Sequence, residues 1–158
     1  MRMSDFVVRE SITANLAAIT KEAVIRELVE NLKNAGYFSG SEPEEIIKAV
    51  HKRELLGSTG IGRGVAIPHT KHPSVDRLVG TVAISRSGVP FESLDGEPVF
   101  VFVMLISPQE RPGDHLRALE NVSRCLRDDN LVRSLRQATT PQQVWELLGR
   151  HENPTGAS

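Results

Sequence analysis

A histidine directly follows a proline at the end of a glycine-rich stretch that runs from Gly57 to His72. Proline fixes its own φ and drives the preceding residue toward extended geometry. We therefore expect a short strand that stops at Ile67-Pro68 and leaves His69 at a rigid exit from strand to loop. The glycines let another backbone or a ligand come close. An imidazole held in this way is suited to act as a neutral nucleophile.

The alternating glycines Gly60, Gly62 and Gly64 superficially match a dinucleotide-binding fingerprint. That fingerprint must open a helix, whereas an extended, proline-stopped run follows here. The sequence also lacks a Gly-Lys-Ser/Thr triplet, so it has no Walker loop. A nucleotide site in this stretch is therefore not predicted.

Two further side chains could contribute to chemistry at His69. His115 falls in the first turn of a predicted helix, where a neutral imidazole beside free N–H groups is a natural partner for a bound phosphoryl group. Arg53 belongs to a basic helix end, His51-Lys52-Arg53-Glu54. That segment alone favours a solvated end that suits the helix dipole. The alternative is that one of its cations points toward His69.

The elements that must position these residues follow from periodicity and end signals. Leu78–Ser87 reads as a strand followed by a turn at Gly88-Val89-Pro90, and a strand is expected somewhere within Ile12–Ala18. Val99–Ile106 is apolar at every position, which is typical of a central strand covered on both faces. Helices are predicted after Thr20 up to Gly36, from a Ser41-x-x-Glu44 capping box to about Glu54, from an N-cap at Asp114, over Asp128–Gln137, and after Thr140-Pro141.

This alternation predicts an α/β fold in which a single mixed β-sheet carries helices on both faces. The domain should span residues 1–150, with a frayed polar tail over residues 151–158. Nineteen Lys and Arg against 20 Asp and Glu give a net charge of −1, which argues against bulk nucleic-acid binding. The single Cys125, the absence of a signal peptide and the lack of a span-length apolar run predict a cytoplasmic protein without membrane insertion.

The run Ser58-Thr59-Gly60-Ile61-Gly62-Arg63-Gly64-Val65-Ala66-Ile67-Pro68-His69 closely resembles the active-site segment of EIIA components of the bacterial phosphoenolpyruvate:sugar phosphotransferase system (PTS). The resemblance is to the fructose/mannitol class (type 2), which includes the nitrogen-regulatory EIIA proteins. It extends from about Ile12 to Leu148 and implies the type-2 EIIA sandwich fold.

The resemblance also implies roles for individual residues. His69 would accept a phosphoryl group from phosphorylated HPr and pass it on, His115 would be the second family histidine, and Arg53 would steady the phosphoryl group. The implied partners are HPr and either an EIIB domain or a regulatory target protein, with no cofactor and no metal. No EIIB or membrane domain is fused within the 158 residues, which favours regulatory use, although sugar-transport EIIA proteins also exist as single chains.

The chain departs from the family pattern beside the proposed nucleophile. Arg63 stands where an uncharged or acidic residue is usual, so we expect added positive charge near the site or a side chain in solvent. Thr70-Lys71-His72 follows the histidine, where many members have glycine. His72 has no family role and is assigned to the surface.

Two other functions compete with that of a phosphocarrier. A metal-dependent hydrolase could use His69, His72 and His115, although His-x-x-His on a loop has no fixed spacing rule and no carboxylate is obviously placed as a further ligand. A pure binding module that has lost phosphoryl transfer is the second alternative.

Overall fold

The computed structural model describes residues 2–152, and its centre is the apolar run identified from the sequence. Strand β5 spans Val99–Ser107 and is buried at every position except the partly exposed Phe100. It has neighbours on both sides and is not an edge strand. The predicted central strand is therefore confirmed, one residue longer than expected.

The other four strands of the described residues are arranged around β5. They are β1 (Gly60–Gly62), β2 (Val65–Ala66), β3 (His69–Lys71) and β4 (Val79–Val89). Strands β2 and β3 pair with β5 in parallel, β4 pairs with β5 antiparallel, and β1 pairs with β2 antiparallel. The sheet is thus mixed, as predicted.

Strands β2 and β3 form one line along the same edge of β5, interrupted at Ile67-Pro68. Val65 is in register with Val101, and His69 is in register with Leu105, so both segments keep the same offset of 36 positions. Proline has no N–H to contribute to the ladder, but its carbonyl accepts a 3.0 Å hydrogen bond from Leu105 N. The predicted exit to a loop at His69 is therefore wrong, because the strand resumes at that residue.

Six α-helices pack against this sheet within residues 2–152. They are α1 (Met3–Phe6), α2 (Lys21–Asn34), α3 (Glu42–Leu55), α4 (Pro112–Cys125), α5 (Asp129–Gln137) and α6 (Pro141–Glu152). The period of two along β5 divides the core between two faces. Val101, Val103 and Leu105 join the apolar cluster of α1, α4, α5 and α6, whereas Phe102, Met104 and Ile106 join that of α2 and α3. Helices on both faces are confirmed.

Several predicted boundaries differ from the structure for local reasons. Helix α4 begins at Pro112, which is tolerated in a first turn, so Asp114 is not the N-cap. Ser41 precedes α3 but forms no side-chain cap, and Glu44 of the expected capping box instead binds Arg26 of α2 with N···O distances of 2.6 and 3.1 Å.

The strand expectations near both ends of β4 also need correction. Residues 12–18 form an isolated parallel bridge between Thr13 and Ala83 rather than a strand. Strand β4 continues through the expected turn to Val89, with a register irregularity after Ile84 and a positive φ of 83° at Gly88.

A polar tail was expected over residues 151–158. Residues 153–158 lie outside the residues that the structure describes. His151 and Glu152 form the end of α6. In the part of the chain that is described, no helix has the length and apolar character needed to cross a membrane.

Candidate active site

His69 and His115 form a pair near the carboxyl end of β5. Their ring centroids lie 5.3 Å apart, with an angle of 54° between the ring planes. The two residues are 46 positions apart in sequence, and the predicted proximity of the two rings is confirmed.

Strand periodicity and the start of α4 together explain why these rings meet. Ile67 and Leu105 belong to the apolar cluster beneath α4, and residues two positions further along each strand lie on the same face. Those residues are His69 and Ser107. Because α4 begins five residues after β5 ends, its first turn brings His115 over this corner of the sheet.

One ring nitrogen of His69 is held by its own backbone. Its Nδ1 lies 2.7 Å from the carbonyl oxygen of Ile67, and a neutral imidazole donates there through Nδ1–H. A backbone carbonyl is a common hydrogen-bond partner for one nitrogen of a reactive histidine, and this bond fixes the tautomer of the His69 ring. The lone pair is then on Nε2, which is the nitrogen available for chemistry.

Burial is the main cause of the lowered pKa of His69. The nearby charge of Arg53 lowers this pKa further, while the hydrogen bond to Ile67 and the charge of Glu54 act in the opposite direction. The net effect is a pKa below the ordinary histidine value of 6.5. The imidazole is therefore neutral, and nucleophilic, at pH 7.

His115 is more deeply buried than His69 and is held by a serine that the sequence analysis did not single out. Its Nδ1 is hydrogen-bonded to the hydroxyl of Ser107, the last residue of β5. Burial is the largest cause that lowers the pKa of His115 to about 4; His69, in its protonated form, and the charge of Lys71 also lower this pKa. A neutral imidazole was expected there, and this pKa agrees with it.

Arg53 lies in the last turn of α3, close enough for its charge to lower the pKa of His69. Its Nη1 donates to the carbonyl of Gly57 at 2.9 Å, across the turn that leads into the glycine stretch. That bond holds the Arg53 guanidinium beside the loop that follows α3. Arg53 is therefore not a fully solvated cation.

Glu54 is a buried carboxylate beside the site whose importance sequence reasoning missed. It accepts hydrogen bonds from the backbone N–H of Thr59 at 3.1 Å and from the Thr59 hydroxyl. It also pairs with Lys21 Nζ at 3.0 Å. The carbonyl of Thr59 in turn accepts from Ile67 N at 3.0 Å. Glu54 thereby links the end of α3 to the strand that carries His69.

Arg63 is directed away from the histidine pair, which corrects the expectation of added charge near the site. Its side chain is 46% exposed, in line with the alternative of a solvent-facing side chain, but it is also hydrogen-bonded. Its guanidinium donates to the carbonyls of Leu126 and Arg127 at 2.8 and 3.1 Å and to Asp129 Oδ1 at 3.0 Å. It is not among the charges that perturb either histidine. Arg63 instead ties the β1–β2 turn to the junction between α4 and α5.

His72 has its own partners in the loop that follows β3. Its Nδ1 lies 2.7 Å from Ser74 Oγ, and its Nε2 lies 3.1 Å from Glu45 Oε1. Within residues 2–152, no three or more His, Cys, Asp or Glu side chains are grouped as a metal ion would require. The ligand set proposed for a metal-dependent hydrolase is therefore not assembled.

Comparison with known proteins identifies similar sequences and structures. The sequence profile described as "Phosphoenolpyruvate-dependent sugar phosphotransferase system, EIIA 2" matches residues 5–151. The "Nitrogen regulatory protein" of Bradyrhizobium diazoefficiens is 33% identical over 148 residues, which cover 94% of this chain and 95% of that protein.

Two solved structures share the fold. The nitrogen regulatory protein IIA-Ntr from Neisseria meningitidis superposes with a TM-score of 0.83 at 27% identity, covering 92% of this chain and 98% of that one. Mannitol enzyme IIA of Escherichia coli, solved in complex with phosphorylated mannitol enzyme IIB, gives a TM-score of 0.74 at 25% identity, covering 89% and 94%.

Proposed function

This chain belongs to the EIIA type-2 family of the phosphoenolpyruvate-dependent sugar phosphotransferase system, and from that membership we propose that His69 is its phosphoryl acceptor. The donor is phosphorylated HPr, and the group passes either to an EIIB partner or into regulation by phosphorylation state. The observation that carries the proposal is the His69 ring, fixed through Nδ1 on the Ile67 carbonyl and paired with His115.

The transfer is a displacement at phosphorus that needs no metal. The Nε2 lone pair of His69 forms the new N–P bond as the N–P bond of the donor imidazole breaks, and the donor ring leaves with its electron pair. The protein must supply an in-line approach and stabilise charge on the equatorial oxygens. Because strand pairing and the Ile67 carbonyl already fix the His69 ring, little orientational freedom remains to be lost when the donor docks.

Arg53 and His115 are the two side chains proposed to contact the phosphoryl oxygens. Arg53 offers a planar fork of donors for oxyanions. When the Ser107 hydroxyl donates to Nδ1 of His115, the ring proton is on Nε2, which then donates to a phosphoryl oxygen. The backbone N–H groups of the first turn of α4 add to this cradle.

Exposed leucines flank these polar residues and support transient docking of protein partners. Leu55 and Leu56 follow Arg53 at the end of α3 and are 87% and 83% exposed, and Leu116 follows His115 and is 66% exposed. Apolar side chains left in solvent around a reactive centre are suited to a small interface that must form and dissociate.

The regulatory and transport uses are supported by different relatives. The nitrogen regulatory protein of Bradyrhizobium diazoefficiens, matched over 95% of its length, supports the regulatory use. The Escherichia coli complex of mannitol enzymes IIA and IIB supports transfer to an EIIB partner.

Incubation with phosphoenolpyruvate, Enzyme I and HPr, followed by intact mass measurement, tests the proposed function. We expect the mass to rise by one phosphoryl group per chain. A chain that stays unmodified while a known EIIA is phosphorylated in parallel would refute the proposal and leave the binding-module alternative.

Substitution of the second histidine should separate acceptance from onward transfer. In His115→Ala we expect His69 to remain phosphorylatable, while transfer to the next acceptor slows about 10²-fold because one donor to the transferring group is lost. Rapid quench of the phosphorylated variant with a purified EIIB domain measures that rate.

His151→Ala is the matched control, since it removes a histidine that pairs with Asp128 at 3.2 Å and has no part in the site. Both half-reactions should be unchanged in it. Wild-type onward transfer in His115→Ala, or loss of phosphorylation at His69, would contradict the role given to His115.

A further inference from the structure

A cavity of about 430 Å³ lies between α5 and the amino-terminal end of β5, and the chemistry described above does not use it. Within the part of the chain that is described, it is lined by four arginines, at positions 63, 86, 133 and 136, together with Phe100 and Asp129. Its volume is within the range of small-molecule sites, which is about 300–1,000 Å³. The cavity is therefore large enough for an organic ligand.

This cavity is separate from the histidine pair. Phe100, which lines the cavity, is the second residue of β5, and its N–H donates to the Gly64 carbonyl. His69 is in register with Leu105, which lies five positions further along β5. Five residues of extended chain span roughly 16 Å. The two sites therefore lie at opposite ends of the sheet.

The arginines are held by the protein rather than left free in solvent. Arg86 Nη2 donates to the Ala138 carbonyl at 2.7 Å, and Arg133 Nη1 donates to Asn130 Oδ1 at 2.9 Å. Arg136 stacks on the ring of Phe100, with its Cζ 3.7 Å from the ring centroid. A guanidinium held at one edge or on its face still presents other N–H groups, in the fork geometry that matches phosphate.

The charge of the cavity contrasts with that of the whole chain. The chain carries a net charge of −1, yet four guanidinium groups against the one carboxylate of Asp129 leave the cavity lining with an excess of three positive charges. A smaller recess of about 270 Å³ shares Arg63, Phe100 and Arg136 and includes Asp95 and Glu97, so two further carboxylates lie on that side and outside the larger cavity. The excess positive charge of the larger cavity favours an anionic ligand.

We propose that this cavity binds a small organic phosphate with two phosphoryl groups, independently of the transfer reaction at His69. Each phosphate ester carries about −1.5 to −2 charges at pH 7, so two of them match the excess positive charge, whereas a single phosphate does not. The cavity volume accommodates the organic part as well. The site is thus a second phosphate-recognising centre, built from arginines in place of histidines.

Calorimetric titration with ADP, with inorganic phosphate as the weaker comparison, tests this directly. We expect saturable binding of ADP that weakens as salt is raised, because exposed charges are screened. In the double variant Arg133→Gln/Arg136→Gln, the affinity should fall about tenfold or more, since two charge-assisted contacts are lost. Phosphorylation of His69 by phospho-HPr should be unchanged in that variant.

Two controls separate this site from the histidine pair and from general charge. The double variant Arg77→Gln/Arg150→Gln removes the same charge outside the cavity and should keep wild-type affinity for ADP. His69→Ala should also bind ADP as the wild type does. In ¹⁵N NMR spectra of the wild-type protein, which need no variant to fold, the shifts caused by ADP should centre on Phe100 and α5.

Absence of saturable binding would overturn the proposal, as would shifts centred on His69. Equal loss of affinity in both double variants, or binding of an oligonucleotide in preference to ADP, would also overturn it.

Discussion

His69→Ala should abolish phosphorylation of the chain by phosphoenolpyruvate, Enzyme I and HPr. Nε2 of His69 is proposed as the nitrogen that forms the new N–P bond, and alanine offers no replacement nucleophile. His115 cannot substitute for it, because it is buried and, with the Ser107 hydroxyl donating to its Nδ1, its Nε2 carries the ring proton and has no free lone pair. Intact mass spectrometry should show a full phosphoryl adduct on the wild type and none on the variant. The wild-type adduct should be labile in acid and stable in base, as an N–P bond is.

His72→Ala is the control for this experiment, because it removes another half-buried histidine three residues further along. Its ring is hydrogen-bonded to Ser74 and Glu45 and not to the site, so we expect normal phosphorylation. The variant's free energy of unfolding should fall only modestly. Circular dichroism should verify that both variants are folded. A phosphorylated His69→Ala protein would end the assignment, and so would an unphosphorylated but folded His72→Ala protein.

Arg53→Ala should slow acceptance of the phosphoryl group by about 10²- to 10³-fold. Losing one charge-assisted contact in the transition state costs on the order of a few kcal/mol. Single-turnover transfer from phospho-HPr measures the rate. The same substitution removes a charge that lowers the pKa of His69, so an NMR titration of the His69 ring should show its pKa rising. This second readout separates an electrostatic contact from a general loss of structure.

Arg63→Asn is the matched control for Arg53→Ala, since it removes an arginine whose hydrogen bonds go to the α4–α5 junction. We expect its transfer rate and the pKa of His69 to be unchanged. Its free energy of unfolding should fall by about 1 kcal/mol, which is typical when an intramolecular hydrogen bond is lost. Equal slowing of transfer by the two substitutions would count against the role of Arg53.

The parts of the fold that could be predicted are those that depend on local pattern. The unbroken apolar run ending at Ile106 identified the central strand, because a strand with one face in water would carry polar residues at alternate positions. Thr20 was recognised as an N-cap, and its hydroxyl does accept from Ala23 N at 3.2 Å. The proximity of His115 to His69 was predicted from the helix start and from the family resemblance, and the ring distance confirms it.

The features that were missed depend on contacts distant in sequence. The strand resumes at His69 because the carbonyl of Pro68 is still paired with Leu105, which proline chemistry alone does not reveal. Ser41-x-x-Glu44 fits a capping box, but Arg26 of a different helix binds that glutamate. Nothing in the local sequence shows that Glu54 is buried against Lys21 and Thr59.

The direction of Arg63 could not be foreseen for the same reason. Its neighbours in sequence belong to the glycine stretch, but its hydrogen-bond acceptors lie more than 60 positions later. Its positive φ of 57° turns the chain so that the side chain leaves the histidine pair. Proximity in sequence to a reactive residue was therefore misleading at this position.

The identity of the phosphorylated ring nitrogen tests the central claim most directly. The chain, labelled with ¹⁵N-histidine and phosphorylated by phospho-HPr, can be examined by long-range ¹H–¹⁵N NMR. Because Nδ1 of His69 is held on the carbonyl of Ile67, we predict the phosphoryl group on Nε2 of His69, with a proton retained on Nδ1. A phosphoryl group on Nδ1 of His69, or on the ring of His115, would contradict the account.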